Sequence, residues 1–152
     1  MSVERIFTRP AHGSPQTEHT AVLVIEGAGI DGDRYFDNHD APGQNITFVE
    51  AEEIEAFLGE QGLANDLSIS GRNVVTRGIR LNDLVGQEFA VGSLRFRGVE
   101  LCEPCLGLGK KLATPTLPAF KVVKQLLHKS GLRADVLSSG ELALGAAFHS
   151  AA

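Results

Sequence analysis

Cysteines, long apolar runs, excess basic charge and internal repeats are all scarce or missing in this chain. There are two cysteines in 152 residues, three positions apart. A pair that close together closes no long loop and makes a poor structural staple, so it points to chemistry or metal instead. No apolar run approaches the ~20 residues that a membrane-spanning helix needs. The start, Met1-Ser2-Val3-Glu4-Arg5, leads into no signal-peptide core, so export is not indicated and the cytoplasm is the expected location. Lys and Arg number 14 against 19 Asp and Glu, for a net charge of −5. The chain therefore lacks the basic footprint of a non-specific nucleic-acid binder. Neither a nucleic acid nor a membrane is expected as a partner. There is no repeat, low-complexity tract or domain linker.

The composition that remains, 43% hydrophobic and 22% charged, is that of an ordinary globular protein. The length suits one domain, 1–152. A domain of this size buries roughly 68–70% of its unfolded surface, enough for a core without disulfides. Strand-like runs dominate: 3–8, 20–26, 45–49, 73–76, 88–91, 94–101, 134–137 and 142–144. Leu94, Phe96 and Gly98 alternate with Arg95 and Arg97, the period of a half-buried strand. Two helices are expected. One spans 50–61, with Ile54, Phe57 and Leu58 on its apolar face and acidic residues at its start. The other begins near Thr116, with Pro118 in its first turn and an apolar face of Phe120, Val123 and Leu127. Many short strands with few helices predict a mainly β, barrel-like fold carrying two or three peripheral helices.

Three motifs fail on inspection. Gly27, Gly29 and Gly32 spell G-x-G-x-x-G, but the Asp-, Asn- and Pro-rich run that follows cannot be the helix a dinucleotide site needs. Those glycines suit a tight turn instead. Asp31, Asp33 and Asp37 suggest a calcium loop, yet Tyr35 and Phe36 occupy the positions of the fifth ligand and the glycine. Gly109-Lys110-Lys111 lacks the first glycine and the Ser/Thr of a phosphate loop.

The segment Leu101-Cys102-Glu103-Pro104-Cys105 carries the strongest chemical signal. A zinc site would need two further ligands, and none of the five histidines forms the usual spaced pair. A thioredoxin-type site would put the first cysteine at a helix start in a βαβ unit; strands precede the pair here and two glycines follow it. The third reading is a single working thiolate in a loop, its pKa depressed by Lys110, Lys111 or an arginine.

Three stretches in order, Gly29-Ile30-Asp31-Gly32-Asp33-Arg34-Tyr35, Arg72-Asn73-Val74-Val75-Thr76-Arg77-Gly78-Ile79 and Cys102-Glu103-Pro104-Cys105, resemble the MOSC family, the molybdenum-cofactor sulfurase C-terminal-type domains. Leu84-Val85-Gly86 and the run 131–137 extend the likeness over most of the chain. The resemblance implies a β-barrel-like fold and a functional cysteine at Cys105. That residue would carry sulfane sulfur for the molybdenum cofactor (molybdopterin), or ligate molybdenum as in amidoxime-reducing relatives, which suggests a sulfurtransferase or a molybdenum-dependent reductase component. Cys102 becomes an auxiliary or resolving thiol. Asp33, Arg34, Arg72, Asn73, Thr76, Arg77, Lys110 and Arg133 are the candidates to surround an anionic cofactor, the arginines through forked contacts. For Asn73 a turn-capping amide is the plainer reading, and for Asp33 with Arg34 a structural ion pair.

Larger relatives add an N-terminal barrel or a pyridoxal-phosphate desulfurase domain, for which 152 residues leave no room. Pyridoxal phosphate is then expected on a partner, a cysteine desulfurase or other sulfur donor, with a molybdenum enzyme or reductase chain as the second partner. Gly145-Ala146 stands where relatives commonly have Gly-Asp. A thiol-disulfide oxidoreductase using both cysteines and a non-catalytic cofactor-binding module are the alternatives.

Overall fold

A computed structural model describes residues 1–150 of the chain. Alternation of apolar residues builds its larger sheet. The strands are β1 (Ser2–Thr8), β2 (Thr17–His19), β3 (Ala21–Ile25), β4 (Gly29–Ile30), β5 (Ile46–Glu50), β6 (Val74–Arg77), β7 (Glu88–Val91), β8 (Leu94–Leu101), β9 (Leu132–Val136), β10 (Gly140–Ala143) and β11 (Phe148–Ser150). Eight of them form one sheet in the order β11-β7-β8-β9-β5-β6-β1-β2, and β10-β3-β4 form a second. The large sheet curls until its ends meet. The Val3 N–H donates to the Ala146 carbonyl at 3.0 Å, Gly145 N–H to Val3 at 2.8 Å and Phe148 N–H to Met1 at 3.0 Å. These bonds stitch the start of β1 to the approach to β11 and give the expected barrel-like, mainly β architecture.

Strand periodicity then sorts two cores. Val3, Ile6, Ile46, Phe48 and Val74 point inward and meet Phe89, Phe96 and Phe148, with Val22, Val24, Ile30 and Leu142 of the small sheet. Phe48 is the hub, edge-on to Phe89 at 5.6 Å and to Phe96 at 5.4 Å, the geometry aromatic rings prefer. The alternate residues Phe7, Val49 and Val75 face outward and pack under the helices. β5 is therefore buried on both faces, and its two polar residues are hydrogen-bonded there, Thr47 to Asn73 and Glu50 to the Leu81 N–H.

The helices are α1 (Ala51–Glu60), α2 (Leu106–Leu112) and α3 (Ala119–Leu126). The first matches its expected span and face, with Ile54, Phe57 and Leu58 buried. The third does not match its expected face. Pro118 is its N-cap and Val122 and Leu126 are its buried residues, while Phe120 is 64% and Leu127 43% exposed. The cause is α2, a helix where the glycines after the cysteine pair suggest a loop. A Cβ on Gly109 would lie 2.6 Å from the Ala119 carbonyl oxygen and 3.0 Å from Val123 Cγ2. The glycine that argues against a helix is what lets α2 cross α3 closely, and that contact turns Phe120 outward. No helix among the described residues is long and apolar enough to cross a membrane.

Candidate functional site

Register places the site at one rim of the curled sheet. Thr47 of β5 is paired with Arg133 of β9, Arg133 with Glu100 and Leu132 with Leu101 of β8, and Phe48 with Val74 of β6. The start of β9, the middle of β5, the start of β6 and the end of β8 thus share one level, with Ile6 of β1 opposite Val74. The cysteine segment leaves the sheet at that level, directly after Leu101.

Three anchors hold it. The Cys102 N–H donates to the Gly131 carbonyl at 2.7 Å. Arg72, just before β6, donates from Nε to the Ser130 carbonyl at 2.9 Å, and from Nη2 to the carbonyls of Cys102 at 3.2 Å and Glu103 at 3.3 Å. Glu103 in turn accepts the His128 N–H at 2.7 Å and sits 2.8 Å from His128 Nδ1. Arg72 is therefore a clamp that joins the segment to the turn after α3.

The two thiols end up in different environments. Cys102 is 2% exposed and Cys105 is exposed, with no disulfide between them. Cys105 is the N-cap of α2, in extended backbone conformation, and its Sγ accepts the Leu108 N–H at 3.4 Å. That N–H holds the thiol below the ordinary cysteine range; partial burial opposes the shift, while the Gly107 N–H and the Arg72 guanidinium assist it. Each donor favours the thiolate, the form that attacks electrophiles and binds metal. Arg72 is the acting cation. Lys110 and Lys111 lie in the last turn of α2, so the lysines expected to depress the pKa sit at the wrong end of the helix.

Asp33, Arg34 and Asn73 surround a second feature on the same rim. Asp33 is buried, and its carboxylate accepts the N–H groups of Arg9 at 3.0 Å and Tyr35 at 3.3 Å. It shapes a turn instead of pairing with Arg34. Arg34 lies over the Tyr35 ring at 4.5 Å and contacts His12 Nδ1 at 2.8 Å. Asn73 Oδ1 accepts from the Thr47 N–H and Oγ1, both at 3.1 Å, and its Nδ2 donates to Phe7. It ties β5, β6 and β1 together, a cross-strand role in place of the turn-capping one expected. These residues line a niche of about 10 Å³ with Arg9, Gln16 and Gly71, room for one water. Arg9 Nε is buried in this region without a partner. Nothing in the sequence singled out Arg9, Thr47 or His128. A buried, unpaired guanidinium nitrogen is visible only once the chain is folded.

Two candidates lie elsewhere. Thr76 is fully buried and donates to the Val49 carbonyl, and Arg77 is paired with Glu4 and Glu55. Thr76 is thus committed to a backbone carbonyl and Arg77 to two carboxylates, and neither is bonded to the cysteine segment. Lys110 also stands apart, exposed on α2. Arg133 stays at the rim, 3.8 Å from Glu100.

The family model for the MOSC domain matches residues 36–149. The chain belongs to the MOSC domain family. The match begins after Gly29–Tyr35, so the first of the three resembling stretches lies outside it. Solved MOSC-like structures share the fold across nearly the whole chain. The YuaD protein of Bacillus subtilis has a TM-score of 0.81 at 20% identity, covering 97% of this chain and 93% of that one. YiiM from Escherichia coli has a TM-score of 0.68 at 17% identity, covering 100% of this chain and 70% of that one. YiiM from Geobacillus stearothermophilus has a TM-score of 0.71 at 18% identity, covering 99% and 75%. No curated protein matches by sequence.

Proposed function

We propose that this MOSC domain is a sulfur carrier working through Cys105, passing sulfane sulfur toward a molybdenum cofactor held by another protein. The observation that carries the reading is the exposed Cys105 sulfur capped by the Leu108 N–H beside Arg72. Loading is an exchange without net oxidation. The Cys105 thiolate attacks the outer sulfur of a donor persulfide, the donor's S–S bond breaks, the donor leaves as a thiolate, and Cys105 retains the sulfur as a reversible persulfide. The same N–H donors that favour the thiolate also favour the persulfide anion. The donor is a cysteine desulfurase or an equivalent enzyme, where pyridoxal phosphate belongs.

Direct ligation of molybdenum is a second reading. Among the described residues no group of three or more His, Cys, Asp or Glu is placed to hold a metal. This chain would contribute one soft ligand, Cys105, to a metal arriving with its own organic ligand. Arg34 and Arg133, both partly exposed, are the groups that would hold that ligand's anionic end. When bound, the cofactor would supply oxo-transfer chemistry.

The test is to incubate the protein with a cysteine desulfurase and cysteine, then measure bound sulfane sulfur, beside metal and pterin analysis of protein from a molybdenum-replete host. About one sulfur per chain and no metal is the expected result. Stoichiometric molybdenum would select the second reading, and neither sulfur nor metal would contradict both.

A further inference from the structure

The charges of this acidic chain are separated along it. Between residues 104 and 134 there are six Lys and Arg and no Asp or Glu, so the other residues hold eight basic against 19 acidic side chains. All five lysines, Lys110, Lys111, Lys121, Lys124 and Lys129, fall in this segment. It folds as the α2–α3 hairpin that begins at Cys105, and every one of the five is exposed. None of them takes part in an ion pair among the described residues, where each pair is made by arginine or histidine. The same hairpin exposes Leu106 at 54% and Phe120 at 64%. Phe120 is the one exposed phenylalanine of eight.

We infer that the α2–α3 hairpin is the docking face for an acidic protein surface that brings its sulfur group to Cys105. Five exposed cations without ion-pair partners make a locally positive surface beside Cys105, which favours encounter with an acidic partner there and raises the association rate. Phe120 and Leu106 supply the apolar contacts typical of a protein interface, with the lysines as its charged rim. A polynucleotide fits this face less well, because its extended charge would also meet the acidic remainder. The inference rests on Cys105 being the working thiol, which a neutral reagent tests separately.

The probes are two synthetic peptides of equal length, each carrying one cysteine as a mixed disulfide with thionitrobenzoate, one flanked by glutamates and the other by lysines. In a Cys102→Ser background, the Cys105 thiolate attacks the peptide sulfur and thionitrobenzoate leaves as a coloured thiolate. The glutamate peptide is expected to react about tenfold faster at low salt, with the difference falling away in high salt. Replacing Lys110, Lys111, Lys121 and Lys124 with glutamine should remove the difference and leave the iodoacetamide rate at Cys105 unchanged. A preference that survives in the glutamine variant, or no preference at all, would overturn the docking face even with Cys105 fully reactive. So would tighter binding of a single-stranded oligonucleotide than of the glutamate peptide, or salt-sensitive self-association that the lysine replacements abolish. The salt titration of the unmodified lysine face is the independent check should the fourfold variant fold poorly. Slow iodoacetamide alkylation would instead count against the sulfur-carrier reading.

Discussion

Replacing Cys105 with serine is expected to remove essentially all sulfane-sulfur loading, while Cys102→Ser keeps most of it. The contrast follows from placement. Cys102 is buried and its backbone N–H is committed to Gly131, whereas the Cys105 sulfur is exposed and hydrogen-bonded in the thiolate's favour. Serine suits this substitution because its hydroxyl is a preferred helix N-cap. It can accept the Leu108 N–H in place of sulfur, so the loss should be chemical and the thermal midpoint nearly unchanged. Only a dithiol mechanism needs both sulfurs. Equal loss in the two single variants would therefore favour thiol-disulfide chemistry, and a dead Cys102→Ser beside an active Cys105→Ser would exchange their roles.

Gly131→Ala should be the most damaging single-methyl change at the site. Gly131 has φ +111°, and a Cβ there would overlap the carbonyl oxygen of Phe48, the hub of the inner core. Strand backbone cannot yield as a flexible side chain can. The expected cost is roughly 3 kcal/mol, a fall in thermal midpoint on the order of 10 °C for a domain of this size. Gly62→Ala is the matched control, since φ is +66° there with nothing within 4 Å of the added Cβ. It should cost only about 1 kcal/mol of left-handed backbone strain. Because the Gly131 carbonyl also receives the Cys102 N–H, Gly131→Ala should slow sulfur loading as well, an effect Gly62→Ala should lack. Equal midpoints for the two variants, by differential scanning calorimetry, would contradict the close approach.

The strands were legible because one face of each is apolar and the period is short; β8 shows it, with Leu94, Phe96 and Gly98 inward and Arg95 and Arg97 outward. The short strands β2, β4 and β11 were not, since two or three residues carry no periodicity and are defined only by partners distant in sequence. Helix α2 was hidden by Gly107 and Gly109, because propensity registers their cost and not the helix crossing that Gly109 serves. At the site, residue types pointed to the Cys102–Cys105 segment, Arg72 and Asn73, and the fold sets Arg72 against that segment and Asn73 against Thr47. Residue types could not show which candidates are committed elsewhere: Thr76 bonds the Val49 carbonyl and Arg77 pairs with Glu4 and Glu55, partners distant in sequence. Asp33 and Arg34 look like an ion pair when adjacent in sequence, but the folded turn points the carboxylate at backbone N–H groups instead.

The central claim is that the Leu108 N–H and Arg72 lower the Cys105 pKa and so favour its thiolate. The pH dependence of iodoacetamide alkylation, followed site by site by peptide mass spectrometry, tests it most directly. A lowered pKa means that the reactive form persists as pH falls. The Cys105 rate should therefore inflect below the value of about 8.5 of a free cysteine, with Cys102 protected throughout by burial. Arg72→Gln removes the assisting cation and loosens the segment, so it should move the inflection upward. A Cys105 inflection at or above the free-cysteine value, unmoved by Arg72→Gln, or faster labelling of Cys102, would contradict the account.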